Sequence, residues 1–547
     1  MDGSHTPATL PLRPADEVMT LARLGVMQPT RLSFLRVLMR DLARMEAQVT
    51  RPIWSMDAKG HGHAVYSVTL AGHTYSLIAF SRHLADEDRS DRVIATAWDA
   101  AFVLFDGVPV PDDIARLAAE VPQQEAGRLG PKELVLSRAN KSVRLFNHVV
   151  DALRAGRQPE PDQIAATGYL MRTTAVYGNG KFGLSDRAAY CDRPGLSGPF
   201  TAEMLTVWLI RGFTHDLAEH LGGAPLDRRI KRHLGIGNAT GLGMAPFLVS
   251  HPLLIDAWFS VKETALARVL AQETISSDEA ARLVELAKQA AAYLASWSVA
   301  DADAMAGIEA LRADWDAFCA GLDASSLAAP SALSLLFAGL ECQSCALQEL
   351  AAAWVIEAFG HLVDDLAHCQ ASPRRPELDA AMTCAELAQI ISDHGAWAMK
   401  PDFDTEAQHA QFWYVSEEKL EPRLGRRFEE PGAELETPLD TARQLSALCG
   451  DLPDDDTPLW QFLAARPEHR AVARRAQALP SHPYAEVRAN MLCEEAAPIH
   501  LLRAKLSFFG ATRFDPKSRL WTRVTLAQGL PLADEIGTRE AAWLPTF

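Results

Sequence analysis

Residues 63–80 read HAVYSVTLAGHTYSLIAF. Apolar and polar side chains alternate on both sides of Ala71-Gly72, the two-residue period of strands joined by a tight turn. The stretch predicts a β-hairpin. How far strand structure extends beyond it decides between a helical protein with small β elements and a mixed α+β fold.

Other strand signals are few. AFVLFDG at 101–107 reads as a buried strand, and RLWTRVTLAQG at 519–529 as another. RTTAVYG and KFGL flank Asn179-Gly180, a pair suited to a type I′ turn, and predict a second hairpin. Helical periodicity covers most of the rest: 30–48, 201–221, 253–272, 278–298, 331–369 and 484–508 are rich in alanine and leucine. The predicted fold is mainly α, a large helical body with small β elements near the N-terminus, around 170–185 and near the C-terminus. An α+β fold is the alternative, because pattern alone does not say whether the terminal strands share a sheet. Linker-like stretches at 156–163, 372–378 and 421–457 suggest three regions: an α+β region 1–155, a helical region 156–371 with glycine-rich loops, and a helical region 372–547 ending in a β unit.

The 547 residues are 48% hydrophobic and 22% charged, an ordinary globular balance. A net charge of −17, from 53 basic and 70 acidic side chains, argues against nucleic acid or an anionic membrane as partner. No basic-then-apolar leader opens the sequence, and no apolar run reaches membrane-spanning length. Eight scattered cysteines make no disulfide framework. A soluble cytoplasmic protein is expected, and alanine-rich helical chains of this length commonly form homodimers.

Chemistry concentrates between 172 and 251. In RTTAVYGNGKFGLSDR (172–187), three glycines let the backbone approach a ligand. Arg172, Lys181 and Arg187 offer charge to a carboxylate or phosphate, Asn179 a carbonyl contact, and Tyr177 a transferable proton. The competing reading is an exposed hairpin. RRIKRHLGIGNATGLGM (228–244) sets four glycines after a basic cluster that includes Arg232, which suggests an anion-binding nest with Asn238 and Thr240 orienting the ligand and His251 looking back over it. It is neither a Walker loop nor a dinucleotide fingerprint.

Between these lies TAEMLTVWLIRGFTHDLAEHL (201–221), apolar on most of its circumference. Arg211, His215 and Glu219 fall on one stripe, so Glu219 is expected to fix the tautomer of His215 and make it a general base. A satisfied core network is the plainer alternative. In EAFGHLVDDLAHC (357–369), Glu357, His361 and His368 share a predicted helical face. With His215 and Glu219 they give a second reading, a helical-bundle site for a divalent metal, against an ordinary solvated face. Cys342-x-x-Cys345 is read as core packing inside a helix.

The expectation is an enzyme, a lyase or hydrolase working without an organic cofactor on a small anionic molecule. Tyr177, His215 and Glu219 do the acid–base work; Arg172, Asn179, Lys181, Arg187, Arg211, Arg232, Asn238, Thr240 and His251 bind. The alternatives are the metalloenzyme and a non-catalytic binding or scaffold protein.

Overall fold

A computed structural model describes residues 12–85, 98–120, 130–174, 190–240, 252–371, 377–400, 438–480, 498–518 and 521–547. Among them, nine strands form one sheet: β1 Gln48–Met56, β2 Gly62–Leu70, β3 His73–Ser81, β4 Ala100–Asp106, β5 Glu133–Lys141, β6 Tyr169–Thr173, β7 Gly235–Thr240, β8 Arg513–Ser518 and β9 Trp521–Leu526. Their spatial order is β1-β2-β3-β4-β5-β6-β7-β9-β8. The terminal strands therefore meet in one sheet, and the mainly α expectation gives way to a helix-rich α+β fold.

The quoted stretch forms the β2–β3 hairpin, with Leu70 opposite His73. Both loop residues have positive φ (Ala71 48°, Gly72 80°), the type I′ arrangement that matches strand twist. β1 to β6 pair antiparallel in sequence order. β6 and β7 are parallel, which requires a long crossover, and the chain between them supplies it with the helix Thr201–Gly222. β9 pairs antiparallel with β7, and β8 closes the edge.

The Thr201–Gly222 helix lies on the sheet with Phe213 at its contact. The Phe213 ring centroid is 5.4 Å from that of Phe102, 6.1 Å from Trp54 and 6.5 Å from Tyr66. Gly223 ends the helix in the left-handed conformation (φ 72°), and its N–H bonds the Glu219 carbonyl. On the opposite face, Val65, Ile78 and Phe105 pack under Ile114 and Leu117 of the helix Pro111–Ala119. β4 is covered on both faces, so its sequence is continuously apolar.

Further helices extend the core. Phe34, Phe200, Trp258, Phe508 and Phe509 join the helices Phe34–Arg44, Pro252–Leu270 and Pro498–Phe509 through ring contacts of 4.8–6.2 Å. Trp354 and Trp315 donate to the carbonyls of Leu283 and Ala287, tying Cys345–Ala358 and Ala302–Ala320 to Ser277–Ser296. The helices Cys384–His394, Pro438–Asp451, Leu459–Ala465 and Arg470–Gln477 contribute to a separate apolar cluster of their own.

The long helical pattern 331–369 is broken twice. Ala332–Leu340 stops before Cys342, which is exposed in a turn, and Ser344 caps the next helix by accepting from Leu347 N–H. The cysteine pair is thus not buried inside a helix. The second break is at Phe359–Gly360, where a Cβ on Gly360 would collide with the Arg31 guanidinium that grips Asp364 (2.7 and 2.8 Å). Beyond it the chain turns once through Gly360–Val363 and continues as a 3-10 helix, Asp364–Ala371. No helix among the described residues is long and apolar enough to cross a membrane.

Candidate functional site

The Thr201–Gly222 helix is buried nearly all round, so its polar side chains must be paired or used. Arg211 is consumed by main-chain carbonyls. Nε donates to Leu234 (2.7 Å), Nη1 to Pro531 (3.2 Å), and Nη2 to Lys231 (2.9 Å), Arg232 (3.0 Å) and Leu530 (3.1 Å). Several of these carbonyls end the helix Arg228–His233, where the last turn lacks intrahelical partners and the dipole is negative. Burial pulls the Arg211 pKa down to about 9, with Glu535 acting in the opposite direction. Arg211 therefore anchors that helix and the C-terminal segment, and the expected role as an anion ligand is replaced by a structural one.

His215 sits one turn further along, 3% exposed. Burial, then the charges of Arg211 and Lys231, push its pKa well below the usual value, while a hydrogen bond to the Leu234 carbonyl opposes them. Nε2 is buried and has no hydrogen-bond partner among the described residues. The imidazole is thus neutral, and with its proton assigned to Nδ1 the lone pair lies on Nε2. Glu219 does not fix this tautomer. It accepts from Leu226 N–H (2.7 Å) and pairs with Lys231 (2.6 Å), and a main-chain carbonyl does the work expected of it.

His215 and Arg211 line a cleft of about 250 Å3 with Gly212 and Asp216 of the same helix, Tyr66 of β2, Arg228 and Lys231 of the basic cluster, and Asp534. Tyr66 Oη donates to Asp216 (2.6 Å), which also pairs with Arg51 (2.5 Å). Burial and the Asp216 charge raise the Tyr66 pKa, which keeps the phenol protonated. Arg228 holds Asp534 (2.7 and 3.0 Å) and Glu535 (2.9 Å), and Arg232 holds Glu535 (2.6 Å). The lining carries three cations, Arg211, Arg228 and Lys231, against two carboxylates, Asp216 and Asp534. Lys231 and Arg228 are also paired with Glu219 and Glu535 at its edge.

The glycine-rich nest takes another form. Gly235–Thr240 is strand β7. A Cβ on Gly235 would strike the Leu526 carbonyl, and one on Gly237 would meet the Tyr169 ring at 2.7 Å, so these glycines admit neighbouring strands closely rather than an anion. Asn238 Nδ2 donates to the Thr173 carbonyl (3.0 Å), and its Oδ1 has no partner among the described residues. Arg172 is buried in β6, in register with Asn140 and Gly237. Neither lines the cleft. Thr240 lies opposite Thr522; its side chain, and Tyr177, Asn179, Lys181, Arg187 and His251, lie outside the described residues.

The alternative metal ligands are not brought together. Both oxygens of buried Glu357 are gripped by the two terminal nitrogens of Arg36. His361 is exposed beside Glu279 (3.5 Å), and His368 is exposed on the 3-10 segment. The shared helical face is lost at the break after Phe359. No group of three or more His, Cys, Asp or Glu side chains suited to a metal assembles among the described residues.

Sequence reading missed Tyr66, Asp216 and Arg51. Tyr66 sits on the core side of a hairpin and reads as packing, and Asp216 falls one residue off the stripe that led to His215. The sequence matches no protein-family model, and comparisons with characterised proteins and with solved structures find no match.

Proposed function

We propose that the chain is an enzyme that takes a small carboxylate or phosphate into the His215 cleft and moves a proton there, in an elimination or a hydrolysis. One observation carries this reading: a buried imidazole, held neutral, on the lining of the cleft, with Nε2 without a hydrogen-bond partner among the described residues. A lone pair so held is a proton acceptor. Its basicity is depressed first by burial and then by the charges of Arg211 and Lys231, and an anion bound beside these cations offsets the second contribution. Substrate binding would therefore raise the basicity of His215. Tyr66, whose hydroxyl proton is donated to Asp216, holds that carboxylate in place at the same cleft. Lys231 and Arg228 supply the attraction.

Calorimetric titration with inorganic phosphate and with malonate, in two buffers of different ionisation enthalpy, tests this. Saturable binding with net proton uptake near neutral pH is expected, weakened roughly ten-fold or more in a Lys231→Ala, Arg228→Ala double variant. Absence of saturable binding by either anion, or binding unchanged in the double variant, would remove the basis of the reading.

A further inference from the structure

A second and larger cavity, of about 600 Å3, lies between the helices Pro252–Leu270 and Ala332–Leu340 and the chain at Arg13 and Glu17. Its volume falls among those of small-molecule sites. Its walls divide in two. Leu266, Leu270, Phe337 and Leu340 give an apolar region, and Arg13, Glu17, Glu263, Glu341 and Gln348 a polar one.

The polar region abuts an ion network. Arg13 grips Glu263 with two bonds of 2.7 Å and lies 3.4 Å from Glu349; Lys262 reaches Glu349 (2.5 Å) and Glu263 (3.3 Å); Arg23 joins Glu349 (3.2 Å) to Glu17 (2.9 Å). Three cations face three carboxylates, so the network is balanced. Glu341, exposed at the cavity, forms no ion pair with the described residues and leaves the lining acidic. Gln348 spends its amide N–H groups on the carbonyls of Glu341 and Gln343. Acceptors thus predominate at this end. Ala332–Leu340, the helix that closes one side, is apolar at almost every position, yet Leu335 is 68% exposed. A helix apolar all round normally lies buried.

We propose that this cavity binds an aliphatic chain ending in a protonated amine, with the chain among Leu266, Leu270, Phe337 and Leu340 and the ammonium at Glu341. A carboxylate of the same length would meet Glu341 and Glu17, the one cation of the described lining, Arg13, being already paired with Glu263 and Glu349. The site is separate from the His215 cleft and shares no lining residue with it.

Calorimetry on the full chain with octylamine, nonylamine and decylamine, against decanoate, all below micelle formation, tests the proposal. One saturable site is expected, with affinity rising about four-fold per added methylene until the cavity is full. Decanoate should bind roughly ten-fold more weakly than decylamine. Ala338→Trp, at an exposed position on the lining, should remove binding while leaving surface charge unchanged. Glu341→Gln should bring the amine and the acid closer while the chain-length dependence persists. Equal affinity for amine and acid in the unaltered chain, no dependence on length, or full amine binding by a folded Ala338→Trp protein would overturn it. Should Ala338→Trp fail to fold, an amine preference undiminished in Glu341→Gln overturns it alone.

Discussion

Arg211, one helical turn from His215, donates its Nε to the carbonyl oxygen of Leu234 at 2.7 Å, and the same carbonyl opposes the burial that lowers the His215 pKa. That one acceptor sets the position of a buried guanidinium and bears on the proton of a buried imidazole. It stands at the end of the Arg228–His233 helix, so the basic cluster and the imidazole are held in one frame.

Arg211 should be among the most costly residues of the site to replace. Arg211→Lys keeps the charge but loses the fork that reaches five carbonyls, and each buried acceptor left unpaired costs about 1–3 kcal/mol. A loss of roughly 3–5 kcal/mol in urea unfolding is expected. A loss under 1 kcal/mol would show that water replaces the guanidinium at little cost.

Gly212 borders the cleft, and a Cβ there would meet nothing within 4 Å. Gly212→Ala should stabilise the helix by about 0.5–1 kcal/mol and leave anion binding in place. Gly212→Leu should fill the cleft and abolish binding without unfolding the protein. Titrations of phosphate into the two variants, with melting curves alongside, separate these effects.

Stability should fall as pH drops from 7 to 5. Burial holds His215 well below its ordinary pKa, and burial with the Arg513 charge brings His233 to about 4. The unfolded chain therefore binds protons at these residues below about pH 6.5 when the folded chain does not, and each contributes a slope of up to about 1.4 kcal/mol per pH unit. Over its whole window, from 6.5 down to 4, His233 alone accounts for roughly 3 kcal/mol. His215→Gln and His233→Gln should each flatten the curve measured by denaturant unfolding. Unchanged slopes would mean that both imidazoles protonate freely in the folded state.

Much of this was readable from residue pattern, and what was not has physical causes. The β2–β3 hairpin alternates because one face carries Tyr66, Val68, Tyr75 and Leu77 into the main core. β1 was hidden because it is a largely exposed edge strand carrying Pro52 and a register shift, with no apolar period to detect. β7 was hidden because its glycines resemble a loop when the strand and ring that require them are distant in sequence. For the site, the stripe on the Thr201–Gly222 helix led to His215, whereas its partners depend on a carbonyl and on β2, which no local spacing encodes.

Arg36 and Glu357 take one candidate ligand out of the metal reading. A carboxylate held at both oxygens by one guanidinium has little left for a metal, and the pair is buried. Glu357→Leu strands the charge of Arg36 and should cost about 3–5 kcal/mol, with Arg36→Met, Glu357→Leu together costing less than the sum of the two single changes.

The most direct test of the central claim is the protonation state of His215, read by nitrogen NMR on histidine-labelled protein and assigned with His215→Gln. The account predicts a neutral imidazole protonated on Nδ1 throughout pH 5.5–8, whose Nε2 resonance moves on addition of phosphate or malonate. An imidazole that titrates near pH 6.5, or one that both anions leave unmoved, would contradict it.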